Sequence, residues 1–113
     1  VADFDLERNH VGKGWQPIIE KLHAELLKID PGYKVAQIKE KFGELRYYFS
    51  FSEDAEPEQR EQMDKLVADA ERQANKTCEN CGEPAKTKLH RGWYLTLCDT
   101  CGKEREATRA LKM

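Results

Sequence analysis

Four cysteines carry the clearest chemistry in this chain of 113 residues. Cys78 and Cys81 form one C-x-x-C pair, and Cys98 and Cys101 form a second after sixteen intervening residues. A thiolate is a soft, charged ligand, and two of them on one tight turn reach adjacent corners of a tetrahedron. Two such pairs at this separation predict one structural zinc ion held by all four sulfurs. Gly82 and Gly102 follow the pairs, where backbone amides turn toward sulfur. Two other chemistries use paired cysteines: disulfides and redox C-x-x-C motifs. The redox motif sits within a βαβ pattern, which this chain lacks.

The elements around the cysteines must position them. Residues 86–89 and 93–97 read as two short strands around His90-Arg91-Gly92, and residues 99–112 read as a terminal helix with Ala107, Ala110 and Leu111 inward. Knuckle, hairpin and helix in that order make a treble clef. Trp93 and Tyr94 point to opposite faces of an alternating strand. One is expected to pack on the finger's core and the other to stay exposed near Arg91, Lys88 and Lys86. An exposed aromatic beside arginine is the common make-up of a binding hot spot. Arg91, Trp93 and Tyr94 are therefore candidate partner-binding residues.

The first 75 residues predict a separate α+β body, with residues 76–113 forming the zinc module. Residues 1–14 look irregular and include Gly12 and Gly14. Trp15, Ile18, Ile19, Leu22, Leu26 and Ile29 then recur at helical spacing, up to the stop at Asp30-Pro31-Gly32. Residues 34–51 read as a hairpin turning at Gly43-Glu44. That register pairs Phe42 with Leu45, Glu40 with Tyr47, Ile38 with Phe49 and Ala36 with Phe51. One face then carries Ala36, Ile38, Phe42, Leu45, Tyr47, Phe49 and Phe51. The other carries Gln37, Lys39, Lys41, Arg46, Tyr48 and Ser50. Lys39, Lys41 and Arg46 around Tyr48 suit a phosphate-contacting surface with a stacking platform; an ordinary solvated sheet face has the same composition. A second helix is expected over residues 57–75, its stripe made by Met63, Leu66, Val67, Ala70 and Ala74.

Other titratable residues are weaker candidates. His90 lies between the cysteine pairs, as in metal-dependent nucleases, but residues 103–113 offer no further His or Asn ligand. It is read as a turn residue, His23 as a boundary residue of the first helix, and His10 as part of the irregular start. Glu40 is either a buried acid-base group or a carboxylate paired with Arg46, Tyr47 or a helix lysine. The acidic stretch 53–61 either imitates nucleic acid or compensates a helix dipole. No nucleophile elbow, phosphate loop or dinucleotide fingerprint occurs, so no enzyme is expected.

Charge is uneven. Residues 1–75 hold 11 Lys/Arg against 16 Asp/Glu, and residues 76–113 hold 8 against 5. This excludes a strong global attraction to nucleic acid and leaves a local one open. No apolar run approaches the ~20 residues of a membrane span. No signal-peptide pattern opens the chain, which begins at Val1 without Met. The expected compartment is the cytoplasm, where thiols stay reduced and available to metal.

Two resemblances add to this reading. Cys78-x-Asn80-Cys81, followed by Leu97-Cys98-Asp99-x-Cys101-Gly102, resembles the GATA-type finger over residues 78–105. This copy has one residue fewer between the pairs and lacks the long basic tail. Separately, Gly14-Trp15-x-Pro17-Ile18-Ile19, Gln37-Ile38-Lys39-Glu40-Lys41-Phe42-Gly43-x-Leu45-Arg46-Tyr47-Tyr48 and the TCENCG and GWYLTLCD segments resemble a family of small phage and prophage proteins. That family has no agreed activity. The resemblance implies an accessory role in infection, in the host cytoplasm, aimed at a host protein or defence system. The leading expectation is thus a non-enzymatic zinc protein that binds a host protein. A nucleic-acid-binding zinc finger is the alternative, and a metal-dependent nuclease a distant third.

Overall fold

Pro17 sits in the first turn of helix α1, Gln16–Ile29, where a missing amide costs no hydrogen bond. A single 3-10 turn, Lys13–Trp15, leads into it. The computed structural model describes residues 9–90 and 92–104. Helix α1 buries Ile18, Ile19, Leu22 and Leu26 on one face, as the spacing predicts. The Asp30 carboxylate closes the helix end. It accepts the amides of Gly32 at 3.3 Å and Ser52 at 2.9 Å, and the Ser52 hydroxyl at 2.5 Å. Burial opposes its ionisation, but the Ser52 and Gly32 donors outweigh that and hold its pKa below the usual value.

Strand β1, Asn9–His10, pairs parallel with β2, Lys34–Lys41, which pairs antiparallel with β3, Glu44–Ser50. The β1 pairing corrects the irregular reading of this segment; two residues are too few to show a strand period. The hairpin register also differs from expectation. Lys41 faces Glu44, Glu40 faces Leu45 and Ile38 faces Tyr47. The turn is therefore Phe42-Gly43, and both residues have positive φ, 56° and 79°. That is the backbone of a type I′ turn, whose twist matches the strands. Glu40 supports it by accepting the Gly43 amide at 2.7 Å, which replaces the expected partners of that carboxylate.

The change is a two-residue slip, so it leaves the faces as assigned. Leu45 and Tyr47 remain buried beside Ile38, while Lys39, Lys41, Arg46 and Tyr48 occupy the other face. Two core assignments fail. A bulge between Val35 and Gln37 lifts Ala36 out of the ladder, so Val35 faces Phe49 and packs on the core while Ala36 is exposed. Phe42 is carried by the turn and is 63% exposed.

Helix α2, Pro57–Ala74, opens on a capping box in which Glu56 and Gln59 bond each other's backbone amides. It packs on α1 and β3 through Met63, Val67, Ala70 and Ala74. The two helices and the sheet enclose Trp15, Ile19, Leu26, Ile38, Leu45 and Met63, all fully buried. His23 is buried rather than marginal. Its Nδ1 bonds the Tyr33 hydroxyl, which lies 2.8 Å from the Tyr47 hydroxyl. Burial lowers the His23 pKa and raises those of Tyr33 and Tyr47.

The C-terminal part holds strands β4, Lys86–His90, and β5, Trp93–Leu97, paired antiparallel, followed by helical residues 99–104. The expected inward residues Ala107, Ala110 and Leu111 lie outside the described residues. Leu95, Leu97, Cys78 and Cys101 form a second, small core. The fold class is α+β, with a hairpin in each half and the four cysteines gathered near the C-terminus.

Candidate metal centre

Thr77 bridges to Pro84 across the first cysteine pair, and Cys78 N–H donates to Glu83 O at 2.7 Å. These bonds fold residues 78–82 into a tight knuckle. The amides of Gly82 and Gly102 donate to the carbonyls of Cys78 and Cys98, each at 2.9 Å. The two pairs thus adopt matching turns that face each other.

All four sulfurs lie within 4.8 Å of one another, and Cys81 Sγ is 3.6 Å from Cys98 Sγ. A disulfide needs about 2.05 Å, and all four cysteines are free. A tetrahedral ion with metal–sulfur bonds of about 2.3 Å has edges of about 3.8 Å. The cluster fits that size and donor set, so the four cysteines could hold one metal ion. Two further donors already point at sulfur: Asn80 Nδ2 to Cys101 at 3.3 Å and the Cys101 amide to Cys98 at 3.4 Å.

The thiols titrate unevenly. Burial opposes ionisation of Cys78, but the amides of Cys98, Cys81 and Asn80 bring it down to about 7. For Cys81, the Glu83 amide favours the thiolate. Burial and the neighbouring thiols outweigh it and push the pKa up to about 12. Asn80 likewise favours the Cys101 thiolate, while burial and the Cys98 thiol raise its pKa overall. One thiolate forms readily and the next are penalised, as expected where four thiols crowd one point. A dication at the centre would reverse that penalty.

The body clasps this centre from two sides. On one, the Gly14 amide donates to Glu79 O at 2.9 Å and the buried Trp15 indole donates to Thr77 O at 2.8 Å. A Cβ on Gly14 would lie 2.0 Å from Cys78 O and 2.6 Å from Gly82 N, so only glycine fits against the knuckle. On the other, the hairpin turn meets β5. The fully buried Thr96 hydroxyl donates to Gly43 O at 2.6 Å and lies 2.6 Å from the Thr87 hydroxyl. Neither clasp was legible beforehand. The paired glycines 12 and 14 were the available signal, and they read as an irregular start.

The expected partner-binding residues fall into two groups that approach each other at turn 42–43. Lys39, Lys41, Arg46 and Tyr48 share the outer sheet face. The Lys39 ammonium sits 5.6 Å from the Tyr48 ring, Lys41 sits 5.6 Å from Phe42, and Arg46 pairs with Glu44 at 2.9 Å. In the finger, Trp93 is 63% and Tyr94 51% exposed. Neither packs on the finger's core, contrary to expectation, because Trp93 lies beyond Leu95 and Leu97 at the turn end of the hairpin. Arg91 lies outside the described residues. His90 ends β4, half-buried, with its ring against Gly102. Leu89, 60% exposed opposite Tyr94, is an apolar surface residue whose strand position alone gives it no role.

No family model, no curated protein and no solved structure matches this chain. Among the described residues no helix is long and apolar enough to cross a membrane. The site and its surroundings carry the functional argument.

Proposed function

We propose that this chain is a non-enzymatic, zinc-stabilised module that binds a partner protein through the exposed aromatic side chains of its two hairpins. Zinc is the ion we assign, because four thiolates at tetrahedral spacing are its common structural donor set. Elemental analysis of folded, reduced protein should find about one zinc per chain. The resemblance to phage and prophage proteins makes a cytoplasmic host protein the partner class.

One observation carries the reading. Phe42 has a φ of 56° and an exposed ring. A side chain other than Gly, Asn or Asp in this conformation costs about 1–2 kcal/mol, and an exposed ring forfeits its burial. Asn-Gly would make the same turn without either cost. Phe42 therefore contributes little to the fold and suits an outside contact. Its turn abuts the backbone of Tyr94, whose side chain shares a strand face with Leu89. Aromatic anchors beside aliphatic surface are the make-up of a protein interface.

The test is Phe42→Asn together with Tyr94→Ser, in capture of partners from nuclease-treated host lysate. Phe42→Asn should fold at least as well as the parent yet lose the captured protein, with a shallow dependence on salt. Capture that persists in both variants would refute the surface. Recovery that vanishes with nuclease and falls steeply with salt would favour the second reading, nucleic acid. The lysine–aromatic pairs of the sheet face support that reading.

A further inference from the structure

Strand β4 lies at an open edge. Its sheet has two strands, and Lys86, Thr87, Lys88 and Leu89 are all exposed. His90 and Trp93 close a two-residue loop, so they form a hydrogen-bonded pair, and the alternation of an antiparallel ladder then fixes the rest. Lys86, Lys88 and His90 turn their backbone groups toward β5. Thr87 and Leu89 turn theirs outward, and among the described residues no hydrogen bond is formed by either outward amide. The body's contacts reach β5 and the Thr87 side chain, and among the described residues they leave this edge clear.

The charge beside the edge is one-sided. A groove runs from β4 to the helical turn after Cys98, lined by Lys86, Lys88, Leu97, Cys98, Asp99 and Lys103. Among the described lining residues Asp99 is the only carboxylate, 3.7 Å from Lys88. Among the described residues the titratable groups facing β4 are thus Lys86, Lys88, Lys103, His90 and Asp99, three of them lysines.

We infer that β4 is a docking edge for an extended, acidic segment of the partner protein, added as a third strand beside β4. This rests on the protein-binding reading above and names a second part of the same interface. The outward amides and carbonyls of Thr87 and Leu89 supply the main-chain bonds, as in strand addition generally. Lys86 and Lys88 alternate along the strand and meet carboxylates spaced two residues apart on the added segment. Lysines on an edge also guard against self-pairing. An acidic strand is an occupant that such a guard admits rather than repels. Phosphodiester chains share the charge but cannot use the outward amide and carbonyl of each residue in turn.

The experiment titrates the zinc-loaded chain with a labelled heptapeptide of alternating Glu and Val, followed by anisotropy and by amide NMR. Binding should shift and protect the Thr87 and Leu89 amides. Lys86→Glu with Lys88→Glu should weaken it by about tenfold, and alternate N-methylation of the peptide should abolish it. Leu89→Pro removes one outward amide, keeps both lysines and is tolerated on an edge strand; it should also abolish binding, with zinc content unchanged. Absence of binding overturns the proposal, as does binding indifferent to N-methylation and to Leu89→Pro, which would be ion pairing alone. Tighter binding of an oligothymidylate through the same residues overturns it in favour of nucleic acid. Because the peptide avoids Phe42 and Tyr94, its failure leaves the aromatic surface standing, and loss of capture by Phe42→Asn leaves the edge standing.

Discussion

Gly14→Ala should uncouple the body from the metal centre. The added Cβ would lie 2.0 Å from Cys78 O, 2.6 Å from Gly82 N and 2.9 Å from Cys81 N. All three are backbone atoms of the knuckle that sets two sulfurs, so none can swing aside. The loop must retreat instead. It then loses the bond from the Gly14 amide to Glu79 and that from the Trp15 indole to Thr77, together worth about 2 kcal/mol. Disturbed packing of the fully buried Trp15 adds about 1–3 kcal/mol, giving a total cost of about 3–5 kcal/mol. Urea denaturation followed by tryptophan emission reads the stability. Competition with a chromogenic chelator reads the metal, which should leave faster than from the parent. Lys13→Ala, on an exposed neighbour, should change neither by more than about 0.5 kcal/mol. If Gly14→Ala matched Lys13→Ala in both assays, the clasp would carry no energy and the coupling would be refuted.

Three further outcomes follow from the same contacts. Leu45→Ala should cost about 2–5 kcal/mol, since Leu45 is fully buried, while Phe42→Ala should cost far less; equal losses in denaturant would contradict the observed register. Thr96→Val should cost about 1–3 kcal/mol by leaving the Gly43 carbonyl without its donor, and double-mutant analysis with Gly14→Ala should show the two clasps to be nearly additive. Stability should also form a plateau in pH. Because burial lowers the His23 pKa, the unfolded chain takes a proton that the fold rejects, and stability declines as pH falls below about 6.5. Because burial raises those of Tyr33 and Tyr47, it declines again as pH rises past about 10. Urea midpoints across pH check both limbs, and His23→Gln should flatten the acid one.

The cysteine cluster was legible because a C-x-x-C pair is local: chain geometry alone brings two sulfurs together. The helices were legible for the same reason, through the spacing of Ile18, Ile19, Leu22 and Leu26, or of Met63, Val67 and Ala70. The sheet faces survived a wrong register because a slip of two residues conserves parity. The turn was misplaced because Gly43 was given the first turn position, when a phenylalanine at positive φ occupies it. His23 was misjudged because its burial depends on Tyr33, ten residues away in the connection to β2. The two clasps joining residues 14 and 43 to the finger were invisible, since nothing in either segment marks a partner more than fifty positions distant.

The clasp at Trp15 has a consequence for how the molecule is made. Its indole finds its acceptor 62 residues later, at Thr77, and Gly14 finds Glu79 beyond that. A ribosome adding about 5–20 residues per second leaves the first tryptophan waiting several seconds for its acceptor. A chain ending before Thr77 can gather the body's helices and sheet, yet it holds a buried indole with no partner and a glycine loop with nothing to grip. Closure of the loop at Gly14 and Trp15 is thus deferred until residues 77–79 arrive. Proteases that sample loose termini would discriminate between the two states without reading any sequence.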